Sequence, residues 1–123
     1  MAIRLSDAEL EVMDVLWRAG RPLTATDIAD TIDKSRHWSL ATVKTLLSRL
    51  LAKQAIEPTR DGRRFLYTPA IARDSYVGQE SRRFVNRMFG GRLSPLIAQL
   101  AEADALDERD LAEIKALLRK LER

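Results

Sequence analysis

"SLATVKTLLSRLLAKQAIEPTRDGRRFLYTP", residues 39–69, sets a helix signal directly before a hairpin signal. Ser39 is a good N-cap, and Trp38 and Val43 on either side of it have the spacing of a hydrophobic staple. At 100° per residue Val43, Leu46, Leu47, Leu50 and Leu51 gather on one side. Ala41, Thr45, Ser48, Arg49 and Ala52 lie opposite, with Thr42 and Lys44 on the flanks. No acidic residue occurs from Ser39 to Gln54. A solvated helix ordinarily carries Glu and Lys pairs on its outer face, so small, hydrogen-bonding and basic side chains there suit approach to a polyanion. Asp61-Gly62 is the strongest short hairpin signal, flanked by residues suited to extended chain. Phe65 and Tyr67 alternate on one face, Arg60, Arg63 and Arg64 gather at the tip, and Pro58, which cannot donate to a ladder, marks an edge strand.

Upstream, "SDAE" at 6–9 is a capping box, and Leu10, Met13, Leu16 and Trp17 follow as one apolar stripe that Gly20 and Pro22 end. This predicts a helix over 7–19. Thr24 as N-cap with Asp27 at the third helical position starts a second, short helix over 25–33. Three short helices followed by a hairpin with a basic tip predict a mainly α, winged helix-turn-helix fold. In that arrangement the third helix enters a major groove and the wing arginines reach phosphates or the neighbouring minor groove. The expected DNA-facing set is Thr42, Lys44, Thr45, Ser48, Arg49, Arg60, Arg63 and Arg64.

Beyond Pro69 the pattern is helical again. Val77, Ser81, Phe84, Val85 and Met88 share one side of a helix over 71–89, which Gly90 and Gly91 terminate. "LSPLIAQLAEA" reads as a short helix with Ser94 and Pro95 at its start. Asp107 caps a last helix in which Leu111, Ile114, Leu118 and Leu121 have heptad-like spacing. These stripes either pack back on the winged region or pair with a second copy. Pairing is favoured, because the first 69 residues leave little exposed apolar surface to cover them. The expected organisation is a DNA-binding domain over 1–69 and a helical dimerisation region over 70–123, with Phe84, Met88, Leu96, Leu100, Leu111, Ile114, Leu118 and Leu121 at the interface. A two-fold dimer implies a palindromic operator with half-sites about one DNA turn, or a multiple of it, apart.

Composition removes other classes of answer. The chain has 123 residues, 46% apolar and 32% charged, with a formal charge of +3 and no cysteine. That is enough for a core, and disulfide and thiolate chemistry are excluded. "MAIRLSDAEL" has no apolar run of signal length and no stretch approaches the ~20 apolar residues of a bilayer span, so a cytoplasmic chain without membrane insertion is expected. Between Lys34 and Arg64 eight basic residues (Lys34, Arg36, Lys44, Arg49, Lys53, Arg60, Arg63, Arg64) face two acidic ones (Glu57, Asp61), whereas the first 33 residues are acidic on balance. His37, the only histidine, lies four residues from Asp33; two ligands without thiolates do not make a metal site, and nothing calls for a cofactor. Trp17 and Trp38 occupy stripe and staple positions, which predicts core packing. Glu9 and Asp14 read as residues of solvated helix faces with no nucleophile–base pair nearby, so no enzyme is expected. The competing reading is a winged helix whose outer face meets another protein. It accounts for the fold but not for the acid-free helix face or the arginine tip.

"LSDAELEVMDVLW", "WSLATVKTLLSRLLAK", "RRFLYTP" and "FVNRMFGGRLSPLIAQL" together resemble the BlaI/MecI/CopY family of bacterial repressors, in particular the penicillinase and methicillin-resistance repressors, over about residues 5–121. The resemblance implies a homodimer on a palindromic operator upstream of a β-lactamase gene or its sensor gene. Thr42, Lys44, Thr45 and Arg49 match recognition-helix positions, and Arg63 and Arg64 match the wing. Leu40 and Ala41 stand where relatives can have Pro and a basic residue, and Gln54 replaces the Gly usual after that helix. The copper-responsive branch carries a Cys-rich C-terminal motif, and this chain ends "LRKLER". In the β-lactam-responsive branch a membrane sensor protease triggers cleavage in the dimerisation region. The aligned bond here is Gln99-Leu100, where relatives have Asn-Phe.

Overall fold

The computed structural model describes residues 3–32 and 34–122. Its elements are α1 (Asp7–Ala19), α2 (Ala25–Thr31), a 3-10 turn (Lys34–Arg36), α3 (Leu40–Ala52), β1 (Ile56–Asp61), β2 (Arg64–Pro69), α4 (Arg73–Phe89), α5 (Leu93–Glu102) and α6 (Glu108–Leu121). Helices α1 to α3 followed by the β1–β2 hairpin are a winged helix-turn-helix. Asp33, the expected last residue of the second helix and the neighbour considered for His37, lies outside the described residues.

The helix starts follow from local chemistry. Ser6, Thr24 and Asp107 each accept from the backbone N–H of the third helical residue, and that residue's carboxylate reaches back to the cap N–H, so α1, α2 and α6 all begin with capping boxes. In α3, Ser39 Oγ accepts from Thr42 N at 3.1 Å. Trp38 is half-buried against the same core that encloses Val43, as its staple position requires.

The core is shared by all three helices and the root of the wing: Val12, Met13, Leu16, Leu23, Ile28, Ile32, Val43, Leu46, Leu47, Leu50, Ala55 and Ile56. It fixes which side of α3 faces out. Trp17 closes the core's edge, donating from its indole nitrogen to Ile71 O at 3.0 Å.

The chain forms two compact units, Met1–Gln79 and Glu80–Arg123. The first reaches beyond the wing because the start of α4 is tied to the chain's start. Leu5 N donates to Tyr76 Oη at 3.2 Å, and Gln79 Nε2 donates to Ile3 O at 3.0 Å. The Tyr76 ring lies 6.2 Å from that of Trp17. In the second unit Phe84 and Phe89 make an edge contact at 6.0 Å. Among the described residues, none from Val77 to Glu122 is buried.

The hairpin differs in detail from the sequence expectation. Asp61 pairs with Arg64, so the two loop residues are Gly62-Arg63 rather than Asp61-Gly62. Gly62 takes φ +65° while Arg63 stays outside the left-handed region, the pattern of a II′ turn, which needs glycine at its first central position. This leaves Arg63 at the apex and Asp61 in the ladder. Strand β2 has a second neighbour: Tyr67 exchanges both backbone bonds with Leu23, at 2.7 and 3.1 Å. The Tyr67 backbone therefore points away from β1, and its partner Pro58 sits at a pair that needs no ladder bond. Strand β1 is the outer edge.

After α3 the chain makes a complete left-handed cap, with Ala55 N on Leu50 O at 3.0 Å and Gln54 N on Leu51 O at 3.0 Å. Gln54 occupies the left-handed position, at φ +62°. A side chain costs about 1–2 kcal/mol in that conformation, and glycine's extra flexibility in the unfolded chain returns about half of this. Gln54→Gly is expected to stabilise the protein by ~0.5–1 kcal/mol, read as a higher urea midpoint at unchanged slope.

Candidate nucleic-acid interface

The core places Val43, Leu46, Leu47 and Leu50 inside, so Thr42, Lys44, Thr45, Ser48 and Arg49 are all exposed on the other side of α3. Thr42, Thr45 and Arg49 follow one another at i, i+3 and i+7, which lines them along a single ridge. The hydroxyls are already oriented. Ser39 Oγ and Thr42 Oγ1 lie 3.1 Å apart, and Thr45 Oγ1 donates to Ala41 O at 3.1 Å. With its proton engaged, Thr45 presents a methyl group and a lone pair outward. That pair fits a thymine methyl or an exocyclic amine on a base edge. Among the described residues, the side chains of Lys44, Ser48, Arg49 and Arg63 have no hydrogen-bond or ion-pair partner.

The wing arginines are not equivalent. Arg60 lies over the Phe65 ring, 5.6 Å from its centroid, and donates from Nε to Gly62 O at 3.1 Å. Arg64 donates from Nε and Nη2 to one carboxylate oxygen of Asp61, at 3.0 and 2.8 Å. Arg64 also acts on Asp27, whose carboxyl is held below its usual range first by the Thr24 backbone N–H and hydroxyl, then by the charges of Arg21 and Arg64. Arg63 at the apex has neither constraint. Among the described residues, three of the eight basic residues between Lys34 and Arg64 are in ion pairs: Arg36 with Glu11, Lys53 with Glu9 and Arg64 with Asp61. The outward positive charge is thus concentrated on fewer side chains than their number in the sequence implies.

Glu9 corrects the sequence reading. It is not on a solvated face but 2% exposed, and its Oε1 accepts from Lys53 Nζ at 2.5 Å and from Ser6 N at 2.7 Å. Burial pushes its carboxyl up, but the Lys53 and Ser6 hydrogen bonds and the Lys53 charge outweigh that and hold it below the usual carboxylate range. The unfolded chain therefore binds this proton more readily than the folded one. The stability Glu9 supplies is present above the ordinary carboxylate pKa of 4.5 and is lost as pH falls below it. A clue was present in the sequence: Glu9 precedes the core residues Val12 and Met13 by three and four positions, which sets it on the inner side of α1.

The residues expected to pair two chains are apolar and open. Phe84, Met88, Leu111, Leu118 and Leu121 are exposed, and Leu96, Leu100 and Ile114 are half-buried. Gln99 and Leu100 lie inside α5, where Gln99 O accepts from Ala103 N and Leu100 O from Ala105 N. Among the described residues there is no cluster of three metal-ligating side chains, and no helix is long and apolar enough to cross a membrane.

Comparison with known proteins gives the same picture over most of the chain. The Bacillus licheniformis penicillinase repressor is 34% identical over 115 residues, 94% of this chain and 89% of that one. The methicillin resistance regulatory protein MecI of Mammaliicoccus sciuri is 28% identical over 116 residues, 94% of each chain. Among solved structures, monomeric Bacillus licheniformis BlaI in complex with the blaP half-operator matches at 37% identity with a TM-score of 0.52, covering 62% of this chain and 92% of that one. Residues 5–120 match the penicillinase repressor family as a whole, and the chain belongs to that family.

Proposed function

We propose that the protein is a sequence-specific transcriptional repressor that occupies a palindromic double-stranded DNA operator as a homodimer, and that its targets are β-lactamase or related resistance genes. The observation that carries this reading is the outer face of α3, where the Lys44, Ser48 and Arg49 side chains are exposed without partners among the described residues, beside two threonines with engaged hydroxyls and no carboxylate. The BlaI half-operator complex among its relatives supports it. Helix α3 lies in the major groove, and Arg63 at the wing apex reaches the flanking backbone, with Arg60 and Arg64 behind it. Residues 1–69 carry DNA binding and 70–123 carry dimerisation. The second role is supported by a unit that buries none of its described side chains on its own while exposing Phe84, Met88, Leu111, Leu118 and Leu121.

Release follows when a membrane sensor protease triggers cleavage at Gln99-Leu100. Proteases bind extended chain, so the last turn of α5 must unwind first, giving up the bonds at Gln99 O and Leu100 O. An intact chain after β-lactam exposure of the native host would refute this step.

Fluorescence anisotropy with DNA upstream of the gene, against scrambled DNA at several salt concentrations, tests the central claim. Selective binding with a log K versus log salt slope near −0.9 per phosphate is expected; a shallow slope without sequence preference would mean that the face meets a protein instead. In the same assay Arg49→Ala is expected to cost ~1–3 kcal/mol and to relax sequence preference, as loss of a bidentate base contact does. A fall in slope with preference retained would make Arg49 a phosphate contact.

A further inference from the structure

Lys53 stands immediately after α3, as its C-cap, within the basic segment. Charge alone would count it as a phosphate contact, but its ammonium is engaged elsewhere. With 37% of the side chain exposed, Nζ still donates inward, to Glu9 Oε1 at 2.5 Å and to Arg4 O at 2.7 Å. Its backbone N–H bonds Arg49 O at 3.0 Å, one turn back along the ridge of candidate base-reading residues. The far ends of this connection are fixed too. Glu9 belongs to the capping box that starts α1. The segment holding Arg4 is bonded on both sides of that residue to α4: Gln79 Nε2 donates to Ile3 O and Leu5 N donates to Tyr76 Oη. Drawing Nζ out to a phosphate would strand a carboxylate that is 2% exposed without its counter-ion, which is a costly state.

We propose that Lys53 is a positioning residue for DNA recognition: through Glu9 and the Arg4 carbonyl it fixes the C-terminal end of α3, and with it Arg49, and it neutralises no phosphate. The proposal rests on the reading of α3 as the DNA-facing helix.

The test compares Lys53→Met, Lys53→Arg, Glu9→Gln and the double variant Glu9→Gln/Lys53→Met with Lys44→Met, all in the full chain. Binding to selected and scrambled DNA is followed across salt concentrations. Lys53→Met is expected to weaken selective binding about tenfold, the size of one charge-assisted hydrogen bond, and to narrow the gap between the two DNAs while leaving the salt slope unchanged. Glu9→Gln should act in the same direction, the double variant should be no weaker than Lys53→Met alone, and Lys53→Arg should restore part of the loss. Lys44→Met should instead reduce the slope by about 0.9. A slope reduced by about 0.9 in Lys53→Met with Glu9→Gln unaffected would make Lys53 a phosphate contact and overturn the proposal. Undiminished selective binding in Lys53→Met would overturn it equally. If Lys53→Met does not fold, Glu9→Gln, which keeps the shape of the side chain and the oxygen that accepts from Ser6, carries the comparison. Amide hydrogen exchange at Leu50–Ala55 gives a readout without DNA: it should quicken in Lys53→Met and Glu9→Gln and not in Lys44→Met, and unchanged exchange in the first two refutes the fastening. A wild-type chain that binds without salt dependence or selectivity overturns the DNA reading, and the exchange experiment then decides the fastening by itself.

Discussion

Leu118→Glu is expected to turn a dimer into a folded monomer and to lower operator affinity by about 10²–10⁴-fold, the factor that joining two half-site contacts supplies through effective concentration. Leu118 is 51% exposed on α6, with Leu111 and Ile114 seven and four residues before it and Leu121 three after. Glutamate is about as good a helix former as leucine, so a single chain loses little by the change. Two chains joined along this stripe would bury the new carboxylate without a partner. Sedimentation should then find monomer at concentrations where the wild type is dimeric, while the first unit keeps its urea midpoint. A dimer that survives would place the apolar stripe of α6 against some other surface, and the proposed interface would be wrong.

Leu50→Ala is expected to cost 2–5 kcal/mol of stability, against a total of roughly 5–15 kcal/mol for a domain of ordinary size. Leu50 is fully enclosed where α1, α2 and α3 meet the root of the wing, and its carbonyl also accepts the Ala55 N–H that closes α3. The cavity would open directly beneath the outer ridge, so DNA binding should fall together with the urea midpoint. A loss under about 1 kcal/mol would show that the site collapses around the smaller side chain and that α3 is less firmly seated than its burial implies.

What the sequence made legible was local. The start of α1 and its end at Ala19 could be read because Ser6, Glu9 and Gly20 act on backbone groups within a few residues of themselves. The inner face of α3 could be read because a 3.6-residue period needs no knowledge of the partner it packs against. Pairings across the chain were not legible. Lys53 meets Glu9 over 44 residues and Gln79 meets Ile3 over 76, and no periodicity encodes either. For the candidate interface this matters in a specific way. The sequence identified an acid-free helix face and an arginine tip, but not that Arg64 is held by Asp61 or that Arg60 is stacked on Phe65. The turn shifted by one residue for a steric reason: glycine is needed where φ is positive, and that requirement, not the Asp-Gly pair as such, fixed the apex at Gly62-Arg63.

Pro58 has a consequence beyond fitting its own strand. In the β1–β2 register, Ile56, Pro58 and Arg60 turn their backbone groups away from β2, and beyond the buried Ile56 the strand is exposed. An exposed strand edge of this kind invites another chain to add a strand, the first step of aggregation. With proline at the middle position the edge lacks the central N–H that such an addition would need, and the charged Arg60 flanks the gap. A wing kept open for DNA is thereby closed to strand pairing with its own copies.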